Sequence, residues 1–277
     1  MRLTPECCSV HTHSVLCDGK GTLAEMAAAA YAAGVRFFGA SGHSHTEIPH
    51  DAGNVLPEDL TVYRQAVLSL RETYAGRMEV LLGIEWDSQS LDAPPPWLDY
   101  WIGSVHNLRD PRTGGYHAMD WDVEKLLACR DEMFGRDLWA MIRGYYAEVG
   151  AIAARRPTIL GHVDLITKFN EGGVLFDKDD PRYQSAAQDA LHRADPDATV
   201  LEINTGAMAR GYRTVPYPAL FLLKEWREMG GRVILTADAH TADGIVYGYD
   251  AAGTLAREAG FRESVVLTRQ GFVPCPL

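Results

Sequence analysis

No apolar run in this 277-residue chain is long enough to cross a bilayer. The opening residues, Met1-Arg2-Leu3-Thr4-Pro5-Glu6, hold no apolar core of the signal-peptide kind. A cytoplasmic protein with no membrane partner is therefore expected. Cysteine is scarce. The five present, Cys7, Cys8, Cys17, Cys129 and Cys275, are odd in number and show neither zinc-ribbon nor C-x-x-C spacing. They read as free thiols in a reducing compartment. Basic charge is in deficit: 26 Lys and Arg face 37 Asp and Glu, for a formal net charge of −11. That argues against nucleic acid as a partner, because such binding needs a basic face. It leaves room for a local positive site, since bound metal ions can dominate the charge of a cleft. Sequence repeats and low-complexity segments are missing too.

What the chain does have is a recurring pattern. Seven short apolar runs, each about strand length, end in residues able to bind a metal. They occupy residues 7–19, 35–45, 78–85, 101–106, 158–164, 199–204 and 233–240. Helix-like segments lie between them. Thr22-Leu23-Ala24-Glu25 is a capping-box pattern that opens an Ala-rich run stopping at Gly34. Further helices are expected over 57–75, 181–194, from Pro218 to Gly230-Gly231, and over 250–259. Residues 122–154 carry a long helical pattern with candidate breaks at Gly135 and Gly144, and Val265-Val266-Leu267 reads as a last strand. Strands alternating with helices imply a mainly parallel sheet. An open doubly wound sheet would gather ligands only near its switch point. Ligands after nearly every strand favour a closed α/β barrel, whose site lies at the carboxyl ends of the strands.

The candidate metal ligands are His11, His13, Asp18, His43, Glu85, His106, His162, Asp238 and His240. In an extended strand, residues two apart point the same way, so His11 and His13 share a facing and Asp238-Ala239-His240 repeats it. Taken singly, each of these residues reads as structural or exposed. Histidines after five of seven expected strands are harder to explain as scatter. Imidazole suits zinc, iron or manganese, and carboxylates can bridge two ions. Nine ligands are too many for one ion, so two or three divalent ions are inferred. His45, His50, His117 and His192 fall outside the set.

These residues resemble the PHP family, named for polymerase and histidinol phosphatase. The resemblance rests on His11-x-His13 with Asp18-Gly19, His43, Gly83-Ile84-Glu85, Gly103-Ser104-Val105-His106, Gly161-His162-x-Asp164-Leu165-Ile166 and Asp238-Ala239-His240. It covers almost the whole chain, and is nearest to the monofunctional histidinol-phosphate phosphatases. It implies one distorted (β/α)7 TIM-like barrel domain over residues 1–277. It also implies that His11, His13, Glu85 and Asp238 hold one ion, that Glu85 bridges to a second held with His106 and His162, and that Asp18, His43 and His240 hold a third. Glu202 is expected to orient a ligand, and Asp164 to pair with a strand-end residue. One departure stands out: the family has Asp before the second-strand histidine, where this chain has Gly42.

The implied reaction is hydrolysis of a small phosphate ester, L-histidinol phosphate above all, by a metal-activated water, with inorganic phosphate as product. Glu85, Asp238 and His240 are the catalytic candidates. Lys168, Arg210 and Arg213 are candidates for holding the phosphate, against the plainer reading of solvated loop cations. Residues 107–121 form either a lid or a long connection. The competing readings are a PHP phosphoesterase for a nucleotide or sugar phosphate, an amidohydrolase-type barrel, and a metal-binding scaffold without activity. An amidohydrolase would use eight strands and a bridging lysine, and Glu85 and Asp238-x-His240 speak against it.

Overall fold

The structure is a computed structural model that describes residues 3–48, 53–90 and 92–277. The barrel begins with β1 (Cys8–Ser9), β2 (Phe37–Ala40), β3 (Glu79–Asp87) and β4 (Tyr100–Ser104). A small hairpin follows, β5 (Asn107–Arg109) with β6 (Tyr116–Ala118). The barrel then resumes with β7 (Ile159–Leu160), β8 (Val200–Asn204) and β9 (Arg232–Thr236). A second hairpin, β10 (Glu263–Thr268) and β11 (Gly271–Pro276), ends the chain. The seven barrel strands lie in the order β1-β2-β3-β4-β7-β8-β9, and every neighbouring pair is parallel. A parallel bridge between Thr12 and Ala239 brings the two edges together. There the His13 N–H donates to Ala239 O at 2.9 Å and the Ala239 N–H donates to His11 O at 3.0 Å. The ring is nearly closed, which removes the open-sheet alternative.

Among the described residues eight α-helices wrap the ring: α1 (Leu23–Ala32), α2 (Leu60–Thr73), α3 (Val123–Phe134), α4 (Leu138–Ala153), α5 (Pro181–Leu191), α6 (Gly206–Ala209), α7 (Leu220–Glu228) and α8 (Tyr249–Glu258). The capping box forms as expected, with Thr22 Oγ1 accepting from the Glu25 N–H at 3.2 Å and Glu25 accepting from the Thr22 N–H at 2.8 Å. The long pattern over 122–154 breaks at Gly135, whose φ of +58° ends α3 in the left-handed region. It does not break at Gly144, which lies inside α4. A Cβ there would come within 2.7 Å of the Phe134 ring, so that glycine serves packing rather than a turn. No helix among the described residues is long and apolar enough to cross a membrane.

Val265-Val266-Leu267 is a strand, but it does not join the barrel sheet. Its hairpin packs Val265, Val266, Leu267 and Cys275 against Cys8, Val10, Leu81, Ile102, Ile159, Val200 and Ile234. It closes the end of the barrel opposite the ligand-bearing ends. Tyr100 fills the middle of this cluster, and its hydroxyl donates to Val10 O at 2.6 Å. Gly39 and Gly83 face its ring, and a Cβ at either position would overlap it. Gly83→Ala is therefore expected to cost about 1–3 kcal/mol or more through overpacking, read as a fall in the urea midpoint with unchanged slope. An unchanged midpoint would mean that Tyr100 moves aside freely.

Candidate metal centre

The barrel brings all nine expected ligands to one end. His11 and His13 follow β1, and His43 follows β2 and bridges Glu85 in parallel. Glu85 lies within β3, the longest barrel strand. His106 and His162 each stand two residues past the ends of β4 and β7. Asp238 and His240 follow β9. Asp238-Ala239-His240 is not the extended copy of His11-x-His13 that the spacing suggests. Asp238 has φ +48°, a left-handed conformation that aspartate tolerates better than most residues. Gly206 makes room for it, since a Cβ there would lie 2.7 Å from Asp238 Oδ2.

Glu85 is the hub of the cluster. Its Oε1 lies 2.7 Å from His162 Nε2 and 3.3 Å from His106 Nε2. Its Oε2 lies 3.1 Å from His43 Nδ1, 3.2 Å from His11 Nε2 and 3.4 Å from His13 Nε2. Asp238 Oδ1 is 3.2 Å from His13 Nε2 and 3.6 Å from His11 Nε2. Asp18 Oδ2 is 3.0 Å from His240 Nε2 and 3.5 Å from His43 Nε2. Among the described residues four groups have ligand atoms close enough to share an ion: His13, Asp18, His43 and His240; His11, Glu85 and His162; His11, His13 and Asp238; His43, Glu85 and His106. Glu85 belongs to two of them.

The donor set fits metal ions. His11 Nε2, His13 Nε2 and Glu85 Oε2 are buried, converge, and have no hydrogen-bond partner. Buried polar atoms are ordinarily satisfied, and three orphans at one point call for a cation between them. The protonation states agree with this. Burial pushes Glu85 up, but His43, His11 and His106 outweigh it and hold the carboxyl well below its ordinary value. Burial likewise opposes, and Arg210 and His11 overcome, to hold Asp238 ionised. His11 is depressed by burial yet raised, to about 10, by Glu202, Glu85 and Asp238. Without ions the carboxylates draw protons onto His11, His13, His43 and His106; a divalent cation supplies that positive charge instead.

Supporting groups surround the ring. Glu202 is wholly buried and accepts four hydrogen bonds. Its Oε1 takes His11 Nδ1 and Thr236 Oγ1, both at 2.6 Å, and its Oε2 takes the His162 N–H at 2.7 Å and Asn204 Nδ2 at 3.1 Å. It orients one ligand by its ring and another by its backbone. Asp87, missed in the sequence, accepts from His106 Nδ1 at 2.9 Å and from its N–H at 3.2 Å. The available signal was its place two residues beyond Glu85 on the same strand face. Asp164 does not pair with a strand-end residue. It is buried and accepts from Tyr146 at 2.6 Å, Tyr183 at 3.0 Å and the Ala219 N–H at 3.0 Å. Cys17 Sγ lies 3.6 Å from His13 Nδ1 and would be 3.4 Å from a Cβ at Gly42. The space an aspartate would need before His43 is filled here by Val55, Cys17 and Tyr63.

The metal-binding end opens into a cavity of about 400 Å³. Lys168 and Arg210 line it; Arg213 does not. Arg210 donates to Asp238 Oδ2 at 3.0 Å and lies 3.0 Å from His240 Nδ1. Lys168 pairs with Asp120 at 3.2 Å. Arg213 is buried and donates to Thr167 and to Val215 O, so its guanidinium is consumed in joining two loops. The connection over 107–121 carries the β5–β6 hairpin, and its residues Asn107, Ala118, Asp120 and Trp121 line the cavity. His45, His117 and His192 are not among its lining residues, and His50 lies outside the described residues.

A model of the PHP domain matches residues 8–206. A curated protein of Deinococcus radiodurans, "Probable histidinol-phosphatase", is 31% identical over 269 residues, which are 92% of this chain and 94% of that one. Among solved structures, a Listeria monocytogenes protein matches with a TM-score of 0.72 at 17% identity, over 87% of this chain and 98% of that chain. The histidinol phosphate phosphatase of Lactococcus lactis, crystallised with zinc, L-histidinol and phosphate, matches with a TM-score of 0.65 at 18% identity, over 96% of this chain and 98% of that chain. At those identities the two structures speak for the fold alone.

Proposed function

The chain belongs to the PHP domain family, and from that premise we propose that it is a metal-dependent phosphatase hydrolysing L-histidinol phosphate to L-histidinol and inorganic phosphate. The observation that carries this is the convergence of His11 Nε2 and His13 Nε2 on Glu85 Oε2, all buried and unpartnered, where Glu85 lines a cavity that also holds Arg210. In this reading two to three ions of zinc, iron or manganese would be held, the first by His11, His13, Glu85 and Asp238, the second by Glu85, His106 and His162, and the third by Asp18, His43 and His240. When bound they lower the pKa of a water and take up charge on the phosphoryl oxygens.

The chain's own residues do the rest. Arg210 stands beside Asp238 and His240 and can turn a guanidinium N–H toward a phosphoryl oxygen. Glu202 and Asp87 fix the rings of His11 and His106, so the ligands need no reorganisation. Glu85, Asp238 and His240 are the catalytic candidates, being members of the cluster that also line the cavity. Three ions against Asp18, Glu85 and Asp238 leave a net of about +3, which draws a phosphate dianion into a protein of formal charge −11. One functional domain over residues 1–277 and a cytoplasmic setting belong to the same proposal; all five cysteines are free, in keeping with a reducing compartment.

The test is elemental analysis of the purified protein joined to phosphate release from a panel of histidinol phosphate, nucleotides and sugar phosphates. Two to three metals per chain and turnover dominated by histidinol phosphate are expected. Turnover of the other esters alone would remove the substrate assignment. No hydrolysis by metal-replete protein would remove the enzyme reading.

A further inference from the structure

A second cavity, of about 600 Å³, opens at the other end of the barrel, where the turn before β9 meets the start of β10. Arg227, Arg232 and Arg262 line it. The chain has 37 acidic side chains against 26 basic ones, so carboxylates to pair with them are plentiful. Yet none of the three guanidinium groups enters an ion pair or a hydrogen bond among the described residues. Glu263 also lines the cavity and is not joined to them. Two of the arginines are nonetheless held in place. Arg227 lies across the Gly260 turn, where φ is +93° and an added Cβ would come 3.0 Å from its Nε and 3.2 Å from its Cζ. Arg232 lies over the Phe272 ring, with Cζ 5.3 Å from the ring centre, and its carbonyl accepts from the Trp226 indole N–H at 2.8 Å. Arg262 stands just before β10, where its carbonyl accepts from the Leu277 N–H at 3.2 Å. Like charges gathered without a partner repel one another, and each guanidinium is a planar fork that suits phosphate oxygens.

We propose that Arg227, Arg232 and Arg262 form an anion site, separate from the metal centre, that takes a ligand of the phosphate class with two negative charges. Three guanidiniums against the Glu263 carboxylate leave the cavity a formal charge of +2, which a phosphate dianion balances. A phosphate also presents three terminal oxygens, one for each fork, where a single carboxylate has two. The site joins the end of α7, the start of β9 and the start of β10. A ligand that bridges these segments binds only the folded chain and so stabilises it. The strand that begins at Arg232 leads at its far end to Asp238 and His240, so β9 carries residues toward both sites. The proposal is independent of the phosphatase reading, since none of the three arginines lines the metal-binding cavity.

The test is equilibrium dialysis of the metal-loaded full chain against radiolabelled inorganic phosphate at low ionic strength. The natural protein is compared with Arg227→Gln, with Arg262→Gln and with the two changes together. The natural protein is expected to bind about one phosphate per chain more than the double variant does, and added sodium chloride should release that phosphate. Each single change removes charge-assisted hydrogen bonds and should weaken it by roughly tenfold. Phosphate should also raise the unfolding midpoint of the natural protein further than that of the double variant. Turnover of histidinol phosphate should stay within about twofold in all variants, because the metal centre is untouched. The same number of phosphates bound and the same midpoint shift in natural protein and double variant would overturn the site. So would an extra phosphate that the single changes leave as tightly held as before.

Discussion

Glu85→Gln is expected to strip the centre of metal and to lower phosphate release by a factor on the order of 10³ or more, with the barrel still folded. The reason is position. Five imidazole nitrogens lie within 3.4 Å of its two carboxylate oxygens. Glutamine keeps the shape and so avoids a cavity, but it replaces one oxygen by an NH₂ group. Whichever way the amide turns, a donor faces imidazole nitrogens that must be free to bind an ion. The ligand set also loses one negative charge, in a site where burial leaves little solvent to compensate. Because Glu85 belongs to both the His11–His162 group and the His43–His106 group, its loss disturbs both together. Elemental analysis and phosphate release from the same preparation check the result, with far-UV circular dichroism as the control for folding. Retained metal with lost turnover would make Glu85 a purely chemical group. Retention of both would remove it from the centre.

Most of the ring was legible because of one regularity. In a parallel barrel, whatever follows a strand's carboxyl end faces the same mouth, so His43, His106 and His162 could be assembled without coordinates. His11 and His13 are equally local, being two residues apart on extended backbone. Legibility failed where position depends on distant packing. Nothing near Arg213 marks it as tied to Thr167 rather than facing phosphate. Asp164 carries a family-like motif, but its partners Tyr146 and Tyr183 stand on α4 and α5, at least 18 residues away. Gly83 appears in the sequence as part of a ligand motif, yet its lack of a side chain serves the Tyr100 ring. The left-handed Asp238 was hidden because an alternating pattern says nothing about the sign of φ. The hairpin that plugs the barrel shows in the sequence only as three apolar residues, with no sign that it lies beneath the strands rather than among them.

Glu202→Ala should show the opposite balance to Glu85→Gln, with a large loss of stability and a graded loss of metal. The carboxylate is fully buried beside a fully buried His11, with 2.6 Å between Oε1 and Nδ1. Removing one partner of such a pair typically costs about 3–5 kcal/mol, because the other is left buried and uncompensated. Three further donors, Thr236 Oγ1, the His162 N–H and Asn204 Nδ2, lose their acceptor as well. The unfolding midpoint of metal-free protein should fall accordingly. Metal affinity should fall by roughly 10–100-fold, since His11 keeps its nitrogen but loses the bond that fixes its ring and tautomer. The two effects separate in a cycle with His11→Ala. If Glu202 acts on metal through His11, the affinity losses of the two variants will not add, and the double variant will bind about as weakly as His11→Ala alone. Additive losses would mean that Glu202 acts chiefly through His162, whose N–H it also holds, and His11 would then owe its orientation to packing within the ring.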